Sequence, residues 1–326
     1  MIQDKTQKRV VGVDITLNVT TCAIVDIRGN IIATDSFQTS GNPNISDFVS
    51  KICECIMALA EKNGGYESIR SIGISVSSGN YQSGCIENAP NMPWKGVIPL
   101  AAMLRDRLGI AVAVANNAHA MALGEHAFGA AHGMKDFIVI SLGAGMGSCF
   151  FCNGQPHLGN NGFAGEIGHS CAIHNGRQCG CGNRGCLETY TATKGILLTA
   201  KEVMEESDKP SLMRQTKELS PKIIAAFCDQ GDELAIETYR RTGQILGLGL
   251  ANYASILNPE AIIFTGSVSQ AGKWLLEPAT EAFEEHVFRN ITGSVKFLLS
   301  SLENQVRNVL GASVLAWEVK EYSLFK

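Results

Sequence analysis

His169, Cys179, Cys181 and Cys186 lie within eighteen positions, and they impose the tightest constraint on how this chain can fold. Imidazole nitrogen and thiolate sulfur are the ligands of a tetrahedral structural zinc, so the loop that carries them must wind around one point. Gly180, Gly182 and Gly185 permit the tight turns that this requires. Glu166 and Glu188 flank the set, and the four-ligand shell is complete without either. A metal-fixed loop with two spare carboxylates is suited to holding polar groups around a ligand. A free-standing structural zinc knuckle is the plainer alternative.

At 326 residues the chain has room for two domains, or for one large bilobal α/β unit. Hydrophobic residues make up 45% of it, enough for a substantial core. A net charge of −4 without a basic block argues against a dedicated nucleic-acid surface. Besides the three cysteines in metal spacing there are Cys22, Cys53, Cys55, Cys85, Cys149, Cys152, Cys171 and Cys228. Most of these sit in apolar runs, as buried thiols of a reducing compartment do. The first ten residues are polar and charged, unlike a signal peptide, and no apolar run reaches membrane-spanning length. A cytoplasmic protein with no membrane association is expected.

Residues 9–14 and 20–26 read as strands, with a third over 31–40 after the Arg28-Gly29-Asn30 turn, giving an antiparallel start. Ile45, Phe48, Val49, Ile52, Ile56 and Leu59 recur at helical spacing behind a cap at Asn44 or Ser46. A strand over 72–76, a helix from Pro99 to Leu108, a strand over 110–114 and a helix from about Asn117 follow. A second series opens with strands over 137–142 and 147–152 around a glycine-rich turn. The metal loop then intervenes, helices dominate 192–257, a buried strand covers 261–264, and a terminal helix runs from 306 to about 320. The two halves thus repeat one plan, as a duplicated pair of α/β lobes facing a cleft would. Ligands of open α/β sheets bind at the carboxyl ends of strands, which places both glycine-rich turns at that cleft.

Four further segments can carry chemistry. Leu142-Gly143-Ala144-Gly145-Met146-Gly147 exposes backbone N–H groups suited to phosphate, although hairpin turns use the same glycines. Phe264-Thr265-Gly266-Ser267-Val268 suits a flat ring or ribose, or an ordinary strand-to-helix turn. Asn116 and Asn117 can hydrogen-bond sugar hydroxyls, while Asn117 alone could serve as a helix cap. The proline-stiffened loop around Asn91 and Trp94 would form a wall of a sugar site or a rigid surface turn.

With these motifs in this order, the chain resembles, over its whole length, the ROK family of sugar kinases and sugar-responsive repressors. Cys179-x-Cys181-Gly-x-x-Gly-Cys186-x-Glu188 matches the family signature, and Glu166-x-Gly-His169 matches its companion motif. Residues 142–147 fall where the family keeps its second phosphate loop, and 257–267 resemble its adenosine segment. The resemblance implies the actin-like ATPase domain (ribonuclease H-like) fold, with two α/β lobes around a cleft. It places the first lobe at 1–117, completed by the helix from about 306 to 326, and the larger lobe at 118–305 with the zinc loop at 166–188. It implies a structural Zn2+, a hexose or N-acylhexosamine ligand, and a homodimer as in glucokinases and N-acylhexosamine kinases. His169 would be both a zinc ligand and a sugar contact. Glu166 and Glu188 would bind hydroxyls near the anomeric carbon, and Asn91 and Asn116 other hydroxyls. Asp14, Gly143, Gly145, Gly147 and Gly266 would line the site of ATP and Mg2+.

The chain departs from the family on the nucleotide side. Active kinases carry aspartate at the position of Asn117, where it accepts the proton of the attacking sugar hydroxyl. An amide oxygen is a very poor base, and general-base catalysis contributes about 10²–10⁴-fold. Thr16, Leu17 and Asn18 replace two glycines and a threonine of the first phosphate loop, and Leu17 sets a branched side chain against phosphate. Thr265 and Ser267 stand where glycines are usual. The expectation is a sugar-binding protein on an ATP-dependent kinase scaffold whose phosphotransfer is weak or lost. The alternatives are an active hexose kinase and a sugar-responsive transcriptional regulator acting through a partner. Family repressors carry a helix-turn-helix ahead of the first strand, where this chain has only residues 1–8, so direct nucleic-acid binding is not expected.

Overall fold

The computed structural model describes residues 8–89, 92–303 and 306–319. By compactness the chain divides into two units. One holds the described residues of Met1–His132, Leu158–Phe163 and Ser301–Lys326; the other holds Gly133–His157 and Ala164–Ser300.

Strands β1 (Arg9–Ile15), β2 (Val19–Val25) and β3 (Ile31–Gln38) open the first unit and lead to helix α1 (Ile45–Lys62). Strand β4 (Ile69–Val76) follows, then the short strands β5 (Gly79–Asn80), β6 (Cys85–Glu87) and β7 (Val97–Ile98). Helix α2 (Leu100–Leu108), strand β8 (Ala111–Ala115) and helix α3 (Asn117–Phe128) close this stretch. The second unit runs through β9 (Phe137–Leu142), β10 (Met146–Cys152), β11 (Gln155–Pro156), α4 (Glu188–Thr191) and α5 (Thr193–Glu205). It continues with α6 (Pro221–Asp229), α7 (Glu233–Leu257), β12 (Ala261–Thr265), α8 (Lys273–His286) and β13 (Lys296–Leu299). Helix α9 (Arg307–Glu318) returns to the first unit.

The main sheets are ordered β3-β2-β1-β4-β8 and β11-β10-β9-β12-β13. Counted in chain order within each sheet, both read third, second, first, fourth, fifth. In both, the first three strands pair antiparallel and the last two join in parallel. The repeated plan read from the sequence is therefore a repeated topology.

Burial follows position in the sheet. Central β1 is buried along most of its length and edge β3 is largely exposed, as a doubly covered strand and a sheet edge require. Helix α1 buries Phe48, Val49, Ile52, Ile56 and Leu59, and Asn44 caps it by accepting the Ser46 N–H at 2.8 Å. Helix α9 lies on β1 and β4 at Gly12 and Gly73, where a Cβ would be driven into the backbone carbonyls of Val309 and Ala312. Its Arg307 pairs with the fully buried Glu125 of α3 at 3.7 Å, and Glu125 also accepts the Ala130 N–H at 2.9 Å.

The β5-β6-β7 sheet, α8 and β13 are not announced by local pattern. The strands are two to four residues long, and α8 contains Pro278 and lacks a side-chain cap. Among the described residues, no helix is long and apolar enough to cross a membrane.

Candidate functional site

In the second unit, β9 and β10 are joined by a three-residue turn. The Gly143 N–H donates to Gly145 O at 3.0 Å, and Gly143 O accepts both the N–H and the hydroxyl of Thr193 at 2.9 Å. The turn is thus closed on itself and pinned to the start of α5. Gly147 belongs to β10, opposite Ser141. The turn after β12 lies alongside: Gly266 takes φ +92°, a conformation open to glycine, and the Val268 N–H donates to Leu142 O at 3.0 Å. The Thr265 hydroxyl is buried there without a hydrogen-bond partner.

The metal set converges as its spacing requires. Ligand atoms of His169, Cys179, Cys181 and Cys186 all lie within 4.8 Å of one another. Zinc–sulfur bonds of ordinary length at tetrahedral angles place neighbouring sulfurs about 3.8 Å apart. The Cys181 and Cys186 sulfurs are 3.7 Å apart, and Cys179 Sγ is 3.7 Å from His169 Nδ1. The donor set and its dimensions fit a zinc ion. Nδ1 is the imidazole nitrogen turned toward the sulfurs, which leaves Nε2 for another partner.

Glu188 opens α4 beside this cluster. One carboxylate oxygen lies 3.6 Å from His169 Nδ1 and 3.3 Å from Cys179 Sγ, and the other accepts the Met146 N–H at 3.2 Å. It thereby links the metal loop to the β9–β10 turn. Glu166 precedes a short 3-10 turn, Ile167–His169, held to β10 by Ser148, whose hydroxyl donates to Gly165 O and accepts the Ile167 N–H at 3.3 Å. Desolvation pushes the Glu166 carboxyl above its usual pKa; His169 opposes this and Glu188 adds to it. The shift arises although the residue as a whole keeps much of its surface in solvent.

Arg177 was not singled out from the sequence. Its guanidinium donates to Thr189 O and Gly195 O at 2.9 Å, to the Thr199 hydroxyl at 3.0 Å and to Glu202 at 2.6 Å, and it stacks 4.6 Å from the Tyr190 ring centroid. These contacts fasten the metal loop to α4, which Glu188 opens, and to α5. Local sequence holds no signal for this, since all five partners lie in the next two helices.

In the first unit, Asp14 near the end of β1 accepts from Asn308 Nδ2 at 3.1 Å on one oxygen. Its other oxygen is buried without a hydrogen-bond partner, and burial pushes the carboxyl above its usual pKa. The β1–β2 turn is closed by Thr16, whose hydroxyl donates to Val19 O at 2.7 Å, and Leu17 at its tip is 49% exposed. Asn116 is the α3 cap, its Oδ1 accepting the Ala118 N–H at 2.9 Å. The cap role left open for Asn117 thus belongs to its neighbour, and Asn117 Oδ1 is buried with no partner. Asn91 lies outside the described residues.

A duplicated α/β sheet of this strand order, with paired glycine turns and a His/Cys knot, is the actin-like ATPase scaffold used by sugar kinases. The chain belongs to the ROK family, whose pattern matches residues 10–319. It is 32% identical over 320 residues to a glucokinase of Halalkalibacterium halodurans, covering 95% of this chain and 94% of that protein. It is 27% identical over 304 residues to a xylose repressor of Caldicellulosiruptor bescii, covering 91% of this chain and 75% of the repressor. Its structure is similar to a ROK glucokinase from Streptomyces griseus crystallised with glucose and AMPPNP. The TM-score is 0.77 and the identity 29%, over 95% of this chain and 100% of that one.

Proposed function

We propose that the protein binds a hexose or N-acylhexosamine on its kinase scaffold and transfers phosphate weakly or not at all. The observation that carries this is Asn117: its side-chain oxygen is buried, has no hydrogen-bond partner and is released from capping, yet it is an amide. A carboxylate there would accept the proton of an attacking hydroxyl; the amide can orient the hydroxyl but takes up no proton at neutral pH. Glu166, His169 and Glu188 are the proposed sugar contacts of the second unit, with Nε2 of His169 free for a hydroxyl. Asn91 and Asn116 are proposed sugar contacts as well, the latter through its Nδ2 atom. His169, Cys179, Cys181 and Cys186 would hold a zinc ion that keeps these side chains in fixed rotamers. Homodimer formation is part of the proposal.

The second reading is an active ATP-dependent hexose kinase. It is favoured by Asp14, whose buried unpartnered oxygen suits Mg2+ or an ordered phosphate water, and by the glucokinase relatives. Gly143, Gly145, Gly147 and Gly266 would then face nucleotide. A third reading, a sugar-responsive regulator acting through a protein partner, draws on the xylose repressor relatives.

ADP production over a panel of hexoses, hexosamines and N-acylhexosamines, comparing the protein with Asn117→Asp, tests the proposal. A silent protein and an active variant are expected. Robust sugar-dependent turnover by the unaltered protein overturns the proposal and establishes the kinase reading.

A further inference from the structure

The metal loop is closed by two short antiparallel segments, and Cys171 stands directly opposite Cys186 across them. The flanking hydrogen bonds bracket this pair without joining it: the Ala172 N–H donates to Gly185 O at 2.8 Å, and the Leu187 N–H to Ser170 O at 2.9 Å. This is the non-hydrogen-bonded position of an antiparallel ladder, where opposed Cα atoms stand about 4.5 Å apart and both side chains leave the same face. A disulfide spans Cα separations of about 4.4–6.8 Å. The backbone therefore already holds the two cysteines at bonding range, and side-chain rotation is the remaining step. Cys186 is buried and belongs to the ligand set, whereas Cys171 is exposed and lies outside it.

We propose that Cys171 is a redox modification site: a hydroperoxide oxidises it, and the resulting Cys171–Cys186 disulfide withdraws Cys186 from the metal set and releases the zinc. The inference rests on the zinc reading above. In the first step the Cys171 thiolate attacks the O–O bond of the peroxide. A sulfenic acid forms, and water or an alcohol leaves after taking a proton from solvent, so the peroxide is reduced by two electrons. In the second, Cys186 attacks the Cys171 sulfur as its thiolate, the S–O bond breaks, and hydroxide departs and is protonated to water. The pair of sulfurs has lost two electrons, balancing the peroxide. His169, Cys179 and Cys181 alone would then be left to hold a zinc ion, one ligand short of the closed shell of a structural site.

The outcome reaches the sugar contacts. Glu188 follows Cys186 by two residues and its carboxylate is 3.3 Å from Cys179 Sγ, so loss of the ion unfastens His169 and the surroundings of Glu188 together. Oxidant would thus lower sugar affinity, and a dithiol with zinc would restore it.

The zinc-loaded protein is treated with hydrogen peroxide, zinc release is followed with a chromogenic chelator, and peptides are mapped without reduction. One zinc is expected per linked Cys171–Cys186 peptide, reversed by dithiol and zinc. Cys171→Ser, a change at an exposed side chain, is expected to keep its zinc and to release it at least about tenfold more slowly. Release at an unchanged rate from that variant, or a disulfide among Cys179, Cys181 and Cys186 in place of the expected one, overturns the proposal. Absence of zinc from the untreated protein refutes the zinc reading and with it the release step, while the Cys171–Cys186 linkage, read by mass, separately tests the redox pairing.

Discussion

Asn116 caps α3 through the Ala118 N–H at 2.9 Å, and in doing so leaves Asn117 Oδ1 buried with nothing to accept. Neighbouring residues of one type thereby differ: the side chain of Asn116 is engaged in the cap, and that of Asn117 is not. Asn116→Ala is expected to cost about 1 kcal/mol, as loss of a cap does. Asn117→Ala removes an unpartnered buried amide oxygen and is expected to change stability by less than the cap loss. Denaturant melts of the two variants check this, and equal losses would contradict that difference.

Glu188 touches the metal cluster with one oxygen and the β9–β10 turn with the other. Glu188→Gln keeps the shape and removes the charge. Sugar affinity is expected to fall about tenfold or more, on the scale of a hydrogen bond to a charged group. Calorimetric titration with the tightest-binding sugar of the panel measures it, and unchanged affinity would remove Glu188 from the site.

One zinc per chain is expected by elemental analysis of protein purified without chelator. Its removal should lower the melting temperature of the protein, because a closed Cys/His site contributes binding energy to folding. Cys181→Ser, at an exposed ligand, should reproduce the loss without disturbing a core side chain.

His119 is buried in α3 with Nε2 unpartnered, and burial pushes its pKa down from 6.5 to about 4. The unfolded chain therefore binds a proton between these values while the folded protein does not, and stability falls as pH drops through that window. At about 1.4 kcal/mol per pH unit, the loss should reach roughly 3 kcal/mol by pH 4 and vanish above pH 7. Melts of the protein and of His119→Gln between pH 4 and 7 test this, with the variant expected to show the shallower dependence.

Glu125 and Arg307 form a pair buried between α3 and α9. Breaking a buried ion pair from one side is costly, so Glu125→Ala is expected to cost about 3–5 kcal/mol, whereas Glu125→Leu with Arg307→Met should cost far less. A double-mutant cycle by chemical denaturation reads the difference.

The metal loop, the longer strands and most of the longer helices, α8 excepted, were legible because their signals are local. Ligand spacing in residues 169–186, the period of α1 and the glycines of the β9–β10 turn each lie within a short window. So were the repeated halves and, through the motifs, the family. What the sequence by itself determined is which residues can ligate, cap and turn. Only the tertiary structure decided which of them do: that Asn116 and not Asn117 caps α3, that Arg177 grips α4 and α5, and that Cys171 faces Cys186. Strand order, the short β5-β6-β7 sheet and the seating of α9 on Gly12 and Gly73 were settled there as well. The physical reason is range. Periodicity and spacing record interactions across a few bonds, while a hydrogen bond's partner or a cysteine's opposite is chosen by chain brought near from far along the sequence. Those choices follow from packing the whole core, and no window of residues contains them.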